Sequence, residues 1–281
     1  RMYQMLPYVL QTTKLVDKTR SLLSRPALAK VAKLGNRLAG EKVLRHLAGQ
    51  EQEIETRGVN ALRGIAKALT LTGTSPAYLH EKEPYTGVLL HDLGLEDAVK
   101  PHADKVARIL QEAGSPRIIA SDPHTVYMLH EIMPGYVHGF NAQVQHYTEV
   151  LAGDAQKLTQ AAGAMPVAEV VVHDSCQMAR DLGLVDQVRE IVQALGLKVT
   201  EPENRGQDTA CCGGPIEFAY AELSDRISHL RASELRNRGE NVVVTCPICL
   251  INLAKHEQEF GLRVWDLGEL LNAGLNQPQA V

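Results

Sequence analysis

The apolar positions of the chain change period near Pro76. Before it they recur at helix spacing. Leu28, Val31, Leu34 and Leu38, with Lys30, Lys33 and Arg37 between them, predict an amphipathic helix, and residues 51–71 predict a second. After Thr74-Ser75-Pro76 the pattern becomes short apolar runs alternating with helical ones. Val88-Leu89-Leu90, Arg117-Ile118-Ile119-Ala120, Val170-Val171-Val172 and Val242-Val243-Val244 predict strands. Residues 103–111, 185–195 and 223–236 predict helices, and 177–182 carries a helical pattern. Strands alternating with helices predict an α/β fold with parallel sheets.

The region after Pro76 reads as one unit written twice. Val88-Leu89-Leu90-His91-Asp92 matches Val170-Val171-Val172-His173-Asp174 at an offset of 82 residues. Ile118-Ile119-Ala120-Ser121-Asp122-Pro123 matches Val242-Val243-Val244-Thr245-Cys246-Pro247 at an offset of 124. The expected organisation is an N-terminal helical arm over 1–75, then two pseudo-repeated parallel α/β lobes, over 76–160 and 161–281. Asp122 and Thr125 stand in the first copy where Cys246 and Cys249 stand in the second.

Charge modifies this picture at one end. Residues 1–50 hold ten Lys/Arg against two acids, Asp17 and Glu41, in a chain whose net charge is −4. The arm reads either as a solvated helical hairpin or as a docking element for an acidic partner or an anionic membrane surface. The overall acidity and the twelve aromatics in 281 residues argue against a nucleic-acid binder. No run of ~18 apolar residues predicts a membrane span and no secretory signal opens the chain. The expected setting is cytoplasmic, or peripheral at the inner face of the membrane. The chain opens on Arg1, and an upstream segment is expected.

The cysteines carry the chemistry. There are five, Cys176, Cys211, Cys212, Cys246 and Cys249, all within a 74-residue window. An odd count without a signal sequence points away from a secreted disulfide framework. Cys246-Pro247-Ile248-Cys249 follows a predicted strand with Pro at a helix start, where free backbone N–H groups favour thiolates. His173-Asp174-Ser175-Cys176 likewise ends a predicted strand. Cys211-Cys212-Gly213-Gly214 adds two sulfurs beside glycines whose backbone can approach a bound group and donate N–H···S bonds. Carboxyl ends of parallel strands line one crevice, where all five thiols can converge. An iron–sulfur cluster, a zinc ion, thiol redox chemistry and inert cysteines all remain open on the residues alone, with the surplus over four thiols favouring the cluster.

The spacing is itself informative: Cys176, then 34 residues, the Cys211-Cys212 doublet with Gly213, then 33 residues after the doublet, then Cys246-Pro247-Ile248-Cys249. It resembles the cysteine-rich CCG domain of heterodisulfide reductase catalytic subunits, found also in iron–sulfur subunits of glycolate and lactate oxidases and of anaerobic glycerol-3-phosphate dehydrogenase. The resemblance implies one iron–sulfur cluster, of 4Fe–4S or non-cubane type, held by Cys176, Cys211, Cys212, Cys246 and Cys249. Zinc is the lesser alternative. It also implies electron transfer in a heterodisulfide-reductase-like complex acting on thiol, disulfide or sulfur compounds, with Cys211 and Cys212 as the catalytic candidates. The alternative within the same fold is an electron relay for a 2-hydroxyacid or glycerol-3-phosphate dehydrogenase; outside it, a zinc-stabilised interaction module. The implied partners are a ferredoxin-like iron–sulfur subunit or domain and a flavoprotein subunit, with a membrane-bound partner reached through the basic arm. Gly213, Gly214 and His173 are the further cofactor-binding candidates. His91, Asp122, His124 and His130 are weighed as a small metal site in the first copy, against ordinary surface or core histidines, and the first copy is expected to be metal-free.

Overall fold

The computed structural model describes residues 2–23, 49, 51–115 and 117–276. Among the described residues two helices come first, α1 (Met2–Leu23) and α2 (Gln52–Leu71). The first lobe contains α3 (Val88–Asp92), α4 (Glu96–Glu112), β1 (Arg117–Ala120) and α5 (Pro123–Tyr127). It closes with β2 (Gln143–His146), α6 (Tyr147–Gly153) and α7 (Ala155–Ala161). The second lobe runs β3 (Glu169–Val172), α8 (Asp186–Ala194), β4 (Lys198–Thr200) and α9 (Ala221–Arg236). It ends with β5 (Asn241–Val244), α10 (Pro247–Ala254), β6 (Arg263–Asp266) and α11 (Leu267–Gly274).

Among the described residues every strand pair is parallel. β1 and β2 form a two-stranded sheet with Ala120 opposite His146. The second lobe holds a four-stranded sheet in the order β4-β3-β5-β6. Its two central strands are the valine runs, and Val170, Val171, Val172, Val242, Val243 and Val244 are all buried, as expected where helices cover both faces of a parallel sheet. The main core crosses the lobe boundary. Tyr147, Leu151 and Leu158 from the first lobe pack with Val172, Ile191, Val243 and Leu270 from the second and with Ile65 and Leu69 of α2.

One predicted strand is a helix. Val88-Leu89-Leu90 forms α3, because the β1/β2 sheet offers it no neighbour and Gly87, at φ 91°, turns the chain into a helical start. The Tyr85 hydroxyl then accepts the Leu89 N–H at 2.9 Å, and only Val88 of the three apolar residues is buried. A short apolar run does not by itself distinguish strand from helix. The first half of the internal repeat therefore fails. The second half holds: Asp122 and Cys246 each end a strand segment and cap a helix opened by proline, α5 and α10. The likeness also extends further, since β2 and β6 each run into a capping box, His146 with Glu149 and Asp266 with Glu269.

The first turns of α1 are part of the core rather than a solvated face. Tyr3 and Leu6 are buried against Ala61 and Ile251, and the Tyr3 hydroxyl donates to Asp266 Oδ2 at 2.7 Å. Arg57 of α2 forks onto Glu269, with Nε–Oε1 3.0 Å and Nη2–Oε2 2.8 Å, both side chains buried. Both helices thus dock at the β6–α11 capping box. The helix expected over Leu28 to Leu38 lies outside the described residues.

Candidate metal centre

β3 and β5 lie side by side in the sheet, and the chain leaves them in opposite directions, β3 towards β4 and β5 towards β6. This is a topological switch point, the place where parallel sheets open a crevice at their carboxyl ends. His173 continues β3, its N–H donating to the Val243 carbonyl at 3.0 Å, and leads through Asp174 and Ser175 to Cys176. Cys246 caps α10 in an extended conformation with Pro247 at the first helical position, and the Leu250 N–H closes the first turn on the Cys246 carbonyl at 2.9 Å. Cys246 and Cys249 therefore share that turn, and both are buried.

The doublet reaches the same crevice on a clamped loop. Gly213 has φ 82°, and a Cβ there would stand 2.4 Å from the Ser224 carbonyl oxygen. A Cβ on Gly214 would stand 2.2 Å from Ile248 Cγ2 and 3.4 Å from Cys212 Sγ. Ser224 Oγ donates to the Gly213 carbonyl at 2.8 Å and Asn252 Nδ2 to the Cys212 carbonyl at 2.7 Å. These glycines give room for close packing. The Gly213 N–H donates to Cys211 Sγ at 3.3 Å, the N–H···S contact that the sequence suggested. On the far side Asp174 anchors the approach to the loop. It accepts Arg189 Nη1 at 2.8 Å and the Gly206 N–H at 2.7 Å, and its carbonyl accepts Thr209 Oγ1 at 3.0 Å.

All five cysteines are free thiols, joined into a chain of contacts from Cys176 to Cys211, Cys212, Cys249 and Cys246. Cys212, Cys246 and Cys249 are buried, whereas Cys176 and Cys211 are partly exposed. Crowding sorts their protons. Cys211 is driven well down as a thiolate by hydrogen bonds from Cys176 and Cys212, helped by the Gly213 N–H. Burial penalises the Cys246 thiolate, but Cys249 and His124 outweigh it and hold Cys246 low. The partners that donate to these thiolates are pushed up: Cys176 and Cys212 chiefly by bonding to Cys211, Cys249 by bonding to Cys212 and Cys246. Thiols whose pKa values are pulled down by their neighbours lose their protons readily to a bound cation or cationic cluster.

His173 lies beside two of the five, Cys212 and Cys249. One of its ring nitrogens lies within 4.8 Å of both the Cys212 and Cys249 sulfurs. Arg231 Nε donates to His173 Nδ1 at 3.1 Å, and an arginine cannot accept. The neutral ring therefore carries its proton on Nε2, which is buried and has no partner among the described residues. Burial, then the Arg231 charge, lowers the His173 pKa to about 3, so the ring stays neutral. A histidine in this tautomer presents an N–H and not a lone pair. It suits a hydrogen bond to a sulfur or sulfide, and does not suit ligation of zinc beside Cys212 and Cys249. Arg231 is itself held by Glu234 Oε2 at 2.6 Å and Thr209 Oγ1 at 3.3 Å.

One contact comes from the first lobe: His124 Nε2 lies 3.3 Å from Cys246 Sγ. Burial alone would lower the His124 pKa, but the Cys246 thiolate, with Asp122 and Asp92, raises it to about 9. The small metal site weighed for the first lobe is not assembled. Asp122 spends its carboxylate on Thr125, His130 pairs with Glu131 at 2.8 Å on the surface, and among the described residues His173, Cys212 and Cys249 are the group with metal-ligand spacing. Sequence reasoning missed Arg231, Asn252 and the role of His124. Arg231 shares a helical face with Ser224, Ser228 and Leu235, and Asn252 stands alone in the apolar run of α10; both are signals of buried polar residues. Nothing local marks His124, whose partner is 122 positions away.

Residues 170–254 match the cysteine-rich domain family, CCG. Over 232 residues the chain is 29% identical to the "Probable iron-sulfur-binding oxidoreductase FadF" of Bacillus subtilis (strain 168), covering 79% of this chain and 32% of that protein. It is 28% identical over 242 residues to the EtfAB:quinone oxidoreductase of Syntrophomonas wolfei, covering 80% and 33%. It is 27% identical over 241 residues to the "Probable membrane-anchored ferredoxin" of Chromohalobacter salexigens, covering 80% and 35%. The chain spans about a third of the length of these curated relatives. No helix among the described residues is long and apolar enough to cross a membrane. Five converging thiols, an unsatisfied N–H among them and relatives with these names support an iron–sulfur cluster and an electron-transfer role. The matched segment, residues 170–254, contains every cysteine of the chain and is similar to the cysteine-rich CCG domain.

Proposed function

We propose that Cys176, Cys211, Cys212, Cys246 and Cys249 hold one iron–sulfur cluster, and that the chain is the cluster-bearing electron-transfer module of a larger oxidoreductase. The observation that carries this reading is a contact chain of five thiols, two of which, Cys212 and Cys249, lie beside His173 with its unpartnered Nε2. The surplus over four thiols fits a 4Fe–4S or non-cubane cluster better than a zinc ion. Bound there, the cluster supplies one-electron transfer. The residues around it do the rest. The Gly213 N–H and His173 N–H are placed to donate to sulfur, Gly214 leaves room beside Cys212, and burial keeps water from Cys212, Cys246 and Cys249.

Electrons would enter or leave at the partly exposed edge formed by Cys176 and Cys211. The name of one relative, EtfAB:quinone oxidoreductase, couples EtfAB to quinone. A flavoprotein subunit is accordingly the donor we propose, with a ferredoxin-like cluster as the next carrier. The basic stretch within residues 1–50 would dock to an acidic subunit or to the inner face of a membrane. A second reading, heterodisulfide-reductase-like chemistry on thiols or disulfides with Cys211 and Cys212 reacting, is favoured by the exposure of Cys211. Burial of Cys212 and the lack of any cysteine in the first lobe favour the relay.

Iron and acid-labile sulfide analysis with EPR on anaerobically purified protein tests the centre. A brown protein with both elements is expected, and a colourless one with stoichiometric zinc refutes it. Titration of the loaded protein with thiols and disulfides separates the two readings: a direct change in the EPR signal means substrate contact, and its absence leaves a relay.

A further inference from the structure

The first lobe carries no cysteine, yet it reaches the centre. α5 starts where β1 ends, as α10 starts where β5 ends, and His124 occupies in the first turn of α5 the place that Ile248 occupies in α10. The start of α5 is fixed by Asp122, which accepts both the Thr125 N–H and the Thr125 hydroxyl at 2.9 Å. From this anchored turn the ring crosses the crevice and brings Nε2 to 3.3 Å from Cys246 Sγ. Cys246 is buried, so no water competes for that sulfur.

We propose that His124 is a positioning residue of the centre, donating from Nε2 to the Cys246 thiolate across the lobe boundary and thereby setting the potential of the cluster that Cys246 ligates. The inference rests on the cluster reading above. Hydrogen bonds to ligand sulfurs draw charge from the thiolate and make an added electron easier to accept, which raises a reduction potential. The first lobe, without cysteines, then has a different part in the same site, as the source of an N–H rather than of a sulfur. A change in how the two lobes sit would alter the N–H···S contact and with it the potential.

Two variants separate donation from bulk: His124→Gln keeps an N–H donor, and His124→Phe keeps a ring without one. Iron and sulfide per chain are measured first, then the midpoint by anaerobic redox titration followed by EPR. Both variants should load as the wild type does. At the wild-type midpoint the oxidised-to-reduced ratio in His124→Phe should rise about tenfold, a shift of about 59 mV to lower potential for a one-electron couple, and His124→Gln should recover most of it. Loss of iron in His124→Phe alone also supports donation, since the donor is what separates it from His124→Gln. Equal midpoints in two loaded variants, or loss of iron from both, overturn the proposal. A wild-type protein without iron and sulfide refutes the cluster reading itself, and this inference with it.

Discussion

Gly213→Ala is the substitution whose cost the structure specifies most closely. Gly213 combines a left-handed backbone, φ 82°, with a backbone neighbour where a side chain would go: the added Cβ would meet the Ser224 carbonyl oxygen at 2.4 Å and its carbon at 3.2 Å. The left-handed conformation costs an alanine about 1–2 kcal/mol. Forcing a methyl against the backbone of α9 adds about 1–3 kcal/mol, the range for overpacking, because Ser224 cannot swing aside as a flexible side chain would. The expected total is about 2–5 kcal/mol. Gly94→Ala isolates the two parts, since Gly94 has φ 67° but nothing within 4 Å of the added Cβ. It should cost about 1–2 kcal/mol from strain alone.

Urea unfolding of both variants beside the wild type gives the difference, and iron content gives its consequence for the site. Gly213→Ala should lose iron, because Ser224 Oγ holds the Gly213 carbonyl and the loop beyond it carries Cys211 and Cys212. A Gly213→Ala protein no less stable than Gly94→Ala and fully loaded would show that Gly213 gives the loop freedom and not room.

Cys246→Ser and Cys211→Ser should each bleach the visible absorbance and weaken the second lobe, because ligand binding contributes folding energy; full iron content in Cys246→Ser sinks the ligand assignment. Arg231→Met should cost about 1–3 kcal/mol by leaving Glu234 Oε2 and His173 Nδ1 without their buried donor, and a thermal scan indistinguishable from wild type would contradict it. Asp266 is buried, and desolvation raises its pKa to about 7 although the Tyr3 hydroxyl opposes the shift. Between about pH 4 and pH 7 the folded state would hold a proton that the unfolded state has lost. Stability should therefore fall as pH rises through that window, by at most about 1.4 kcal/mol per pH unit. Asp266→Asn should flatten the slope, and an unchanged urea-midpoint profile would argue against a raised Asp266.

The valine-rich strands were legible because burial on both faces leaves them no polar positions. β2, β4 and β6 were not: Gln-Val-Gln-His, Lys-Val-Thr and Arg-Val-Trp-Asp each mix one or two apolar residues with polar ones and are built on pairing with a longer-range neighbour. Val88-Leu89-Leu90 failed for the opposite reason, an apolar run with no sheet to join. The cysteines were legible through their spacing, which is a local property of each strand end. The groups that tune them were not, since Arg231 meets His173 over 58 positions and His124 meets Cys246 over 122. Only the packing of α9 on the sheet and of the first lobe on the second brings them there.

The same turn does two jobs in the two lobes, and the difference is one side chain at the cap. Asp122 ends its strand segment, caps α5 and closes on itself, its carboxylate accepting the Thr125 N–H and hydroxyl. Cys246 ends the equivalent segment and caps α10 without any side-chain capping bond. The helix start in the second lobe therefore keeps its positive end free for a thiolate, while that in the first lobe has neutralised its own. A closed turn is the more rigid one, and it is the closed turn that carries His124. If Asp122 became a residue unable to accept the Thr125 N–H, the start of α5 would loosen and the 3.3 Å contact at Cys246 would be the first thing at the centre to lengthen.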